Sequence, residues 1–109
     1  MIAVVADPHR WHGKKVRLKG AFQWQFEGTK LCVHMDDVVY GMSRNCLFVQ
    51  MRPEHVNSTF EKLLSNTRKY VLIEARIDAG DRGHLGLSAG SLIEVTRLDV
   101  LEPTDAAWN

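Results

Sequence analysis

Two long runs of strand-forming residues near the end of the chain constrain the fold more than any other feature. Residues 70–77 and 92–101 are rich in β-branched and apolar side chains in partial alternation, a pattern typical of half-buried strands. Residues 78–90, which lie between them, are rich in glycine, and glycine favours turns and bends. The pattern therefore predicts a long β-hairpin with an extended loop.

The clearest alternation of apolar and polar residues lies earlier, in residues 14–26. One face carries apolar side chains and the other carries polar ones; the apolar set is Val16, Leu18, Phe22, Trp24 and Phe26, and the polar set is Lys15, Arg17, Lys19, Gln23 and Gln25. Gly20 interrupts this run, and a glycine inside a strand permits a bulge or a sharp bend. Such a bend lets one long strand serve both halves of a small closed barrel.

The remaining segments predict short elements. Residues 2–11 favour a short helix or turn, and residues 31–35 and 47–51 favour two short strands. Asp36 and Asp37 favour the start of a single helical turn that ends at Gly41. A longer amphipathic helix is predicted to start at Pro53, with an apolar stripe formed by Val56, Phe60, Leu63 and Leu64.

The order of these elements predicts a fold that is mainly β with one or two helices. Five strands with a helix between strands 3 and 4 are the layout of an oligonucleotide- and oligosaccharide-binding (OB) barrel. An SH3-like barrel is the alternative, but it needs no amphipathic helix of this length at that place. The 109 residues suit one domain, which we place at residues 1–103, with residues 104–109 as a tail.

The composition excludes several classes of protein. Fourteen lysines and arginines against thirteen acidic residues leave a net charge of +1, which argues against binding to duplex nucleic acid by charge alone. The apolar opening, residues 1–6, is too short to span a bilayer. We therefore expect no membrane span and a cytoplasmic protein, or an exported one if a leader precedes this sequence.

The two cysteines, Cys32 and Cys46, show neither a Cys-x-x-Cys spacing nor a zinc-finger histidine pair. We expect two reduced, buried thiols, because free cysteine behaves as a small apolar residue, with a disulfide between them as the alternative. His9 and His12 could share one helical turn, but Pro8 and Gly13 disfavour regular helix around them. We expect no metal site and no cofactor.

Several motifs also carry a family resemblance. They are Asp7-Pro8, Trp11, Gly13 to Arg17, Gly20, Phe26-Glu27-Gly28 with Leu31, Tyr70-Val71, Glu74, Asp78, Gly83-His84, Gly86, Ser88, Gly90, Leu92 and Thr96-Arg97. In these the chain resembles a family of small, uncharacterised bacterial OB-fold-like proteins, whose barrel is similar to tRNA-anticodon-binding domains. It departs from their pattern at Thr29-Lys30, Cys32, Phe48 and Gln50. The resemblance implies an OB-like fold and no activity.

The glycine-rich loop holds the most distinctive polar residues. Arg82, His84 and Ser88 could bind an anion or another ligand. A serine and a histidine four residues apart, without an orienting acid or an oxyanion hole, do not make a nucleophilic site. We therefore expect no catalytic residues and no enzyme, and the main expected role of this loop is geometric.

The second candidate site is the polar face of the first strand. Lys15, Arg17 and Lys19 project from it, and Arg76 or Tyr70 is expected to join them from the fourth strand. Basic groups in such a place could follow the phosphates of a single strand. The absence of a catalytic set, the balanced charge and the loop-rich β architecture instead favour a non-enzymatic binding module for a protein or peptide partner, engaged by strand addition at an edge or by long loops. The alternative is single-stranded nucleic-acid binding through this basic face.

Overall fold

The computed structural model describes residues 1–24, 29–51, 68–83 and 86–101. Its elements are α1 (Ile2–Ala6), α2 (Pro8–Trp11), β1 (Lys15–Gln23), β2 (Lys30–Cys32), α3 (Met35–Val39), a 3₁₀ turn named η1 (Ser43–Asn45), β3 (Cys46–Val49), β4 (Arg68–Asp78) and β5 (Gly90–Val100). The predicted helix from Pro53, the tail from residue 104 and His84 lie outside the described residues. No helix within the described ranges is long and apolar enough to cross a bilayer.

The five strands form a closed barrel in the order β1-β2-β3-β5-β4. Neighbouring strands are antiparallel except β3 and β5, which pair in parallel over three residues and so complete the barrel. The predicted hairpin is present as β4 and β5. This arrangement confirms a mainly β, five-stranded OB-like barrel with short helices.

β1 pairs with two neighbours at once. All nine of its residues pair with β4, while only the last three, from Ala21 to Gln23, also pair with β2. Gly20 lies where the second pairing begins, and a Cβ atom at this position would stand 2.6 Å from the carbonyl oxygen of Cys32. The absence of a side chain at Gly20 therefore permits the close approach of β2 to β1.

The buried apolar residues form two groups on opposite sides of the barrel wall. The interior group fills the barrel and includes Phe22, Leu31, Leu47, Ile73 and Leu92, each fully buried. The second group lies on the outer face, where Val38 of α3 packs against Ala21, Cys32 and Cys46. Successive strand residues point to opposite faces, so β1 buries Phe22 inside the barrel and Ala21 beneath α3.

The expectation of two reduced thiols was wrong, although both cysteines are buried as expected. Cys32 and Cys46 form a disulfide, and neither side chain is exposed to solvent. The two residues lie directly opposite each other in the β2–β3 pairing. The spacing of the cysteines in sequence does not reveal this register, which is what brings the two sulfur atoms together.

Reduction of this disulfide should lower the free energy of unfolding. The bridge joins residues 14 positions apart, and closing a loop of this size in the unfolded chain contributes about 3 kcal/mol. We expect urea unfolding with a phosphine reductant to show a loss of that order. The double variant Cys32→Ala/Cys46→Ala is the control, because its unfolding should not respond to reductant. An equal midpoint for the oxidised and reduced native chain would contradict the prediction.

Gly20→Ala should destabilise the barrel by about 1–3 kcal/mol, the usual cost of overpacking. The atom that the new methyl group meets belongs to the Cys32 backbone, so a side-chain rotation cannot relieve the clash. Gly80→Ala is the matched control, since its Cβ would meet only the Asp78 carboxylate at 3.4 Å. Equal urea midpoints for the two variants would show that the close approach at Gly20 is unimportant.

Candidate functional site

The four strand residues predicted to bind a ligand lie on one outer wall of the barrel, formed by β1, β4 and β5. Lys15, Arg17 and Lys19 are exposed on β1, and Arg76 stands opposite Lys15 on β4. This wall also carries acidic groups. An Arg17 Nη2 atom lies 2.6 Å from a Glu74 carboxylate oxygen, and the Arg76 Nε atom donates to Glu94 at 2.7 Å.

Further along the same wall, Arg97 lies between two acids. Its Nε atom is 2.6 Å from Asp99, and an Nη atom is 3.6 Å from Glu74. The hydrogen bond and the charge of Asp99, followed by Glu74, raise the pKa of the Arg97 guanidinium. Cations and carboxylates therefore alternate on this wall. Such pairing lowers the positive potential that would attract a phosphate backbone.

Arg76 connects two segments of the chain. β5 is irregular opposite Ala75, because Glu74 pairs with Arg97 but Arg76 pairs with Ile93. Glu94 lies in this bulge with a φ of 51°. Besides binding Glu94, Arg76 donates to the carbonyl of Gly13 at 2.5 Å. Its guanidinium thus joins the bulge to the segment before β1, which leaves it less free for a ligand.

The loop between β4 and β5 is held by its own carboxylates. Asp78 accepts hydrogen bonds from the backbone N–H groups of Gly80 and Asp81, at 3.0 and 3.3 Å. Asp81 in turn accepts from the N–H of Gly83 at 2.9 Å and from the Gln50 amide at 2.6 Å. These contacts support the geometric role expected for this loop.

The two described candidates in this loop contact each other through one side-chain and one main-chain hydrogen bond. The Arg82 Nε atom donates to the carbonyl of Ser88, and the N–H of Ser88 donates to the carbonyl of Arg82, each at 3.0 Å. Ser88 is buried, whereas Arg82 is exposed. Arg82 is therefore available to a ligand and Ser88 is not. The third candidate, His84, lies outside the described residues.

The surface that OB barrels use for oligonucleotides, the outer face of strands 2 and 3, is largely covered in this chain. Cys32 and Cys46 lie beneath α3. Phe48 lies beneath the β4–β5 loop, where a Cβ atom on Gly83 would come within 2.6 Å of the Phe48 side chain. Gly83 has a φ of 74°, which favours glycine. Little of this face remains open for stacking bases.

The outer face of strands 2 and 3 also carries a partly buried lysine, Lys30. Lys30 pairs with Phe48 across β2 and β3. Burial, with a smaller contribution from the charge of Arg68, lowers the pKa of the Lys30 ammonium group. Desolvation disfavours the charged form, so this lysine is poorly placed to bind a phosphate in solution.

Lys30→Met should stabilise the protein at neutral pH, and the gain should shrink in alkaline solution. The folded pKa of Lys30 lies below its ordinary value of 10.5, so the unfolded chain holds more protons between these two values. The stability of the native sequence therefore rises with pH in that window. Urea unfolding at several pH values measures the difference in the free energy of unfolding between Lys30→Met and the native sequence. Lys30→Arg keeps its charge throughout, so the difference between Lys30→Met and Lys30→Arg should not shrink with pH. If both differences shrink together, the assignment is contradicted.

A cleft at one end of the barrel brings together residues from separate parts of the chain. It measures about 340 Å³ and is lined by Val5, Pro8, His9, Arg44, Ala79, Arg82 and Ala89. We call it the arginine cleft. Two arginines and a histidine line it together with residues that have aliphatic side chains, and no acidic residue is among these described lining residues.

The arginines of this cleft differ from those of the barrel wall. Neither Arg44 nor Arg82 forms an ion pair with any residue in the described part of the chain. Arg44 projects from η1, which follows directly from the turn after α3. The arginine cleft thus holds two arginines that form no ion pair within the described residues, although Asp7, Asp78 and Asp81 adjoin lining residues in the sequence.

Exposed apolar side chains lie on the segments that adjoin or contact η1. We call Ile2, Val39, Tyr40, Met42 and Leu87 the apolar rim, and each of them is at least 44% exposed. α1 and α3, which carry Ile2 and Val39, both contact η1. Leu87 lies two residues before Ala89, whose N–H donates to the carbonyl of Cys46 at the end of η1. The apolar rim and the arginine cleft therefore share one end of the molecule.

Other candidates for chemistry have structural partners. Asp37 is buried and accepts hydrogen bonds from the N–H of His34 and the amide of Asn45, so it holds the start of α3, as the sequence predicted. The Nδ1 atom of His12 accepts from the N–H of Ala79 at 3.0 Å. Across the described ranges, no group of three metal-ligating side chains is close enough to hold an ion.

Comparisons with known protein families, curated proteins and solved structures find no match for this chain. A binding role for the arginine cleft is therefore inferred from its geometry alone. Sequence reasoning identified Arg82 but missed Arg44 and the apolar rim. The one local signal was the exposed-turn sequence Tyr40-Gly41-Met42, in which large apolar residues flank a glycine instead of alternating with polar ones.

Proposed function

We propose that this protein is a non-enzymatic binding module that recognises a protein or peptide partner through the apolar rim and the arginine cleft. The observation that carries the proposal is the position of the apolar rim beside η1, next to two arginines that bind no carboxylate of the described residues. Aromatic residues, methionine and arginine are enriched at protein interfaces. Tyr40 is 75% exposed and Met42 is 54% exposed, so both are available to a partner.

The closed barrel favours recognition by loops over strand addition. Peptides that add a strand need an exposed sheet edge, and closure of a barrel removes such edges. Most of the apolar rim and the arginine cleft belongs to short helices, turns and the β4–β5 loop. Of the two modes that the sequence suggested, contact through loops is therefore the better supported.

Single-stranded nucleic-acid binding is the second candidate. It is favoured by Lys15 and Lys19, which are exposed on β1 and form no ion pair with the described residues. The carboxylates paired with Arg17 and Arg76 weaken this candidate. It predicts an affinity for a labelled oligothymidine that falls steeply with added salt, and no binding at low salt would remove it.

The disulfide bears on the compartment in which the protein works. Disulfides persist in oxidising compartments and are rare in the cytosol, so we propose that this chain acts outside the cytoplasm. We further propose that it belongs to the small bacterial OB-like family that it resembles. Alkylation and mass measurement of the protein from its native source would test the compartment, and free thiols at Cys32 and Cys46 would overturn it.

A photo-crosslinker at the apolar rim should capture a discrete partner. With benzoylphenylalanine in place of Tyr40, we expect one adduct on irradiation in the native source. The same group at Lys15, on the ion-paired wall, is the matched control and should give none. The adduct band identifies the partner by mass spectrometry.

The captured partner then permits a binding test. Tyr40→Ser/Met42→Ser should weaken its affinity at least tenfold, roughly 1.4 kcal/mol, because truncating interface anchors removes most of their contribution. Lys15→Ser/Lys19→Ser should leave it unchanged. Equal adducts at both crosslinker positions, or a loss of affinity only in the lysine variant, would refute recognition through the apolar rim.

A further inference from the structure

We infer that the arginine cleft is a binding site for a carboxylate group, supplied by an acidic side chain or by the C-terminus of a peptide. This inference rests on the proposed function and gives the partner its chemistry. Arg44 and Arg82 enter the cleft from two elements that are distant in sequence, η1 and the β4–β5 loop, while His9 enters from α2. Guanidinium groups match the two oxygens of a carboxylate through paired N–H donors.

The charges of the two arginines are available to a ligand. Arg82 uses its Nε atom to bind the carbonyl of Ser88, which fixes the position of the side chain and leaves its Nη atoms without a carboxylate partner among the described residues. Arg44 donates no hydrogen bond within the same ranges. By contrast, Arg17, Arg76 and Arg97 each bind a carboxylate of this chain. Arg44 and Arg82 have no such carboxylate partner among the described residues.

The rest of the lining favours a carboxylate over a phosphate. Val5, Pro8, Ala79 and Ala89 supply only aliphatic side chains, which suit the methylene stem of a glutamate or the last side chain of a peptide. A phosphate presents more acceptor oxygens and is commonly held by loops of backbone N–H groups, with lysine or hydroxyl side chains. No lysine, serine or threonine is among the described lining residues.

The size of the cleft and its surroundings agree with one residue of a longer partner. A volume of about 340 Å³ is at the lower end for a small-molecule site, and the cleft is open to solvent on one side. The apolar rim lies beside it. A peptide that places its carboxylate between Arg44 and Arg82 can therefore extend its apolar residues towards η1.

The test uses the full chain labelled with ¹⁵N and two probe peptides that differ in one side chain. They are acetyl-Ala-Phe-Leu-Glu-amide, whose only carboxylate is the glutamate side chain, and acetyl-Ala-Phe-Leu-Gln-amide; acetyl-Ala-Phe-Leu-Gln with a free C-terminus then shows whether a terminal carboxylate is bound instead. We expect the acidic peptide to shift the amide signals of Ala79 and Ala89 and the Nε–Hε signals of Arg44 and Arg82. The neutral peptide should bind at least tenfold more weakly, because charge-assisted hydrogen bonds are lost.

Arg44→Gln should abolish this preference for the acidic peptide. Arg44 holds no other part of the described chain, so its loss does not disturb the β4–β5 loop, whereas Arg82→Gln would also remove the bond to Ser88. Arg17→Gln removes an exposed arginine from the ion-paired wall and is the control, which should keep the preference. Equal binding of all three peptides, or an unchanged preference in Arg44→Gln, would overturn the inference.

Three further outcomes are informative, and the last two separate this inference from the proposed function. If phenyl phosphate displaces the acidic peptide at concentrations at least tenfold below that of the peptide, the cleft is a phosphate site and the carboxylate assignment is wrong. If no peptide binds but the crosslinker at Tyr40 still captures a partner, the inference fails and the proposed function stands. If the crosslinker captures nothing while the acidic peptide binds at the arginine cleft, the inference stands and the proposed function fails.

Discussion

The barrel depends on the close approach of β2 to the second half of β1. One edge of β1 pairs with β4 along its whole length. Its other edge pairs with β2, but only beyond Gly20. The missing side chain at Gly20 makes room for the Cys32 backbone. This contact starts the path through β2 and β3 to the parallel pairing with β5, which completes the barrel. A long antiparallel hairpin alone would leave two open edges.

The course of the chain after β2 also determines which outer surfaces of the barrel stay exposed. β2 ends at Cys32, and the chain then forms α3, which covers the outer face that β2 and β3 share. The disulfide lies directly beneath α3 and joins β2 to β3, so it closes the segment of chain that contains α3. Because the β4–β5 loop covers Phe48 on the same face, the open surface is displaced to the end of the barrel around η1. The arginine cleft and the apolar rim occur there.

Much of the fold follows from periodicity and turn residues. The hairpin, the first strand and the capped turn at Asp37 are local patterns, and each is present. The disulfide and the arginine cleft depend instead on register and on contacts between distant segments. Arg44 and Arg82 are 38 residues apart in the sequence, and no local pattern shows that they line one cleft. The ion pairs of Arg17 with Glu74 and of Arg76 with Glu94 likewise depend on strand register, so no local pattern shows that these candidates already have acidic partners.

Net charge is a poor guide to what this surface can bind. The chain is nearly neutral, yet its charges are distributed unevenly. On the wall of β1, β4 and β5, arginines bind acids that lie beside them, and such exposed pairs contribute little free energy. In the arginine cleft, cationic groups stand beside aliphatic side chains instead. Contact with an apolar partner would exclude water there and strengthen each remaining electrostatic interaction. A near-neutral surface can therefore select an acidic group when apolar contact and positive charge occur at the same place.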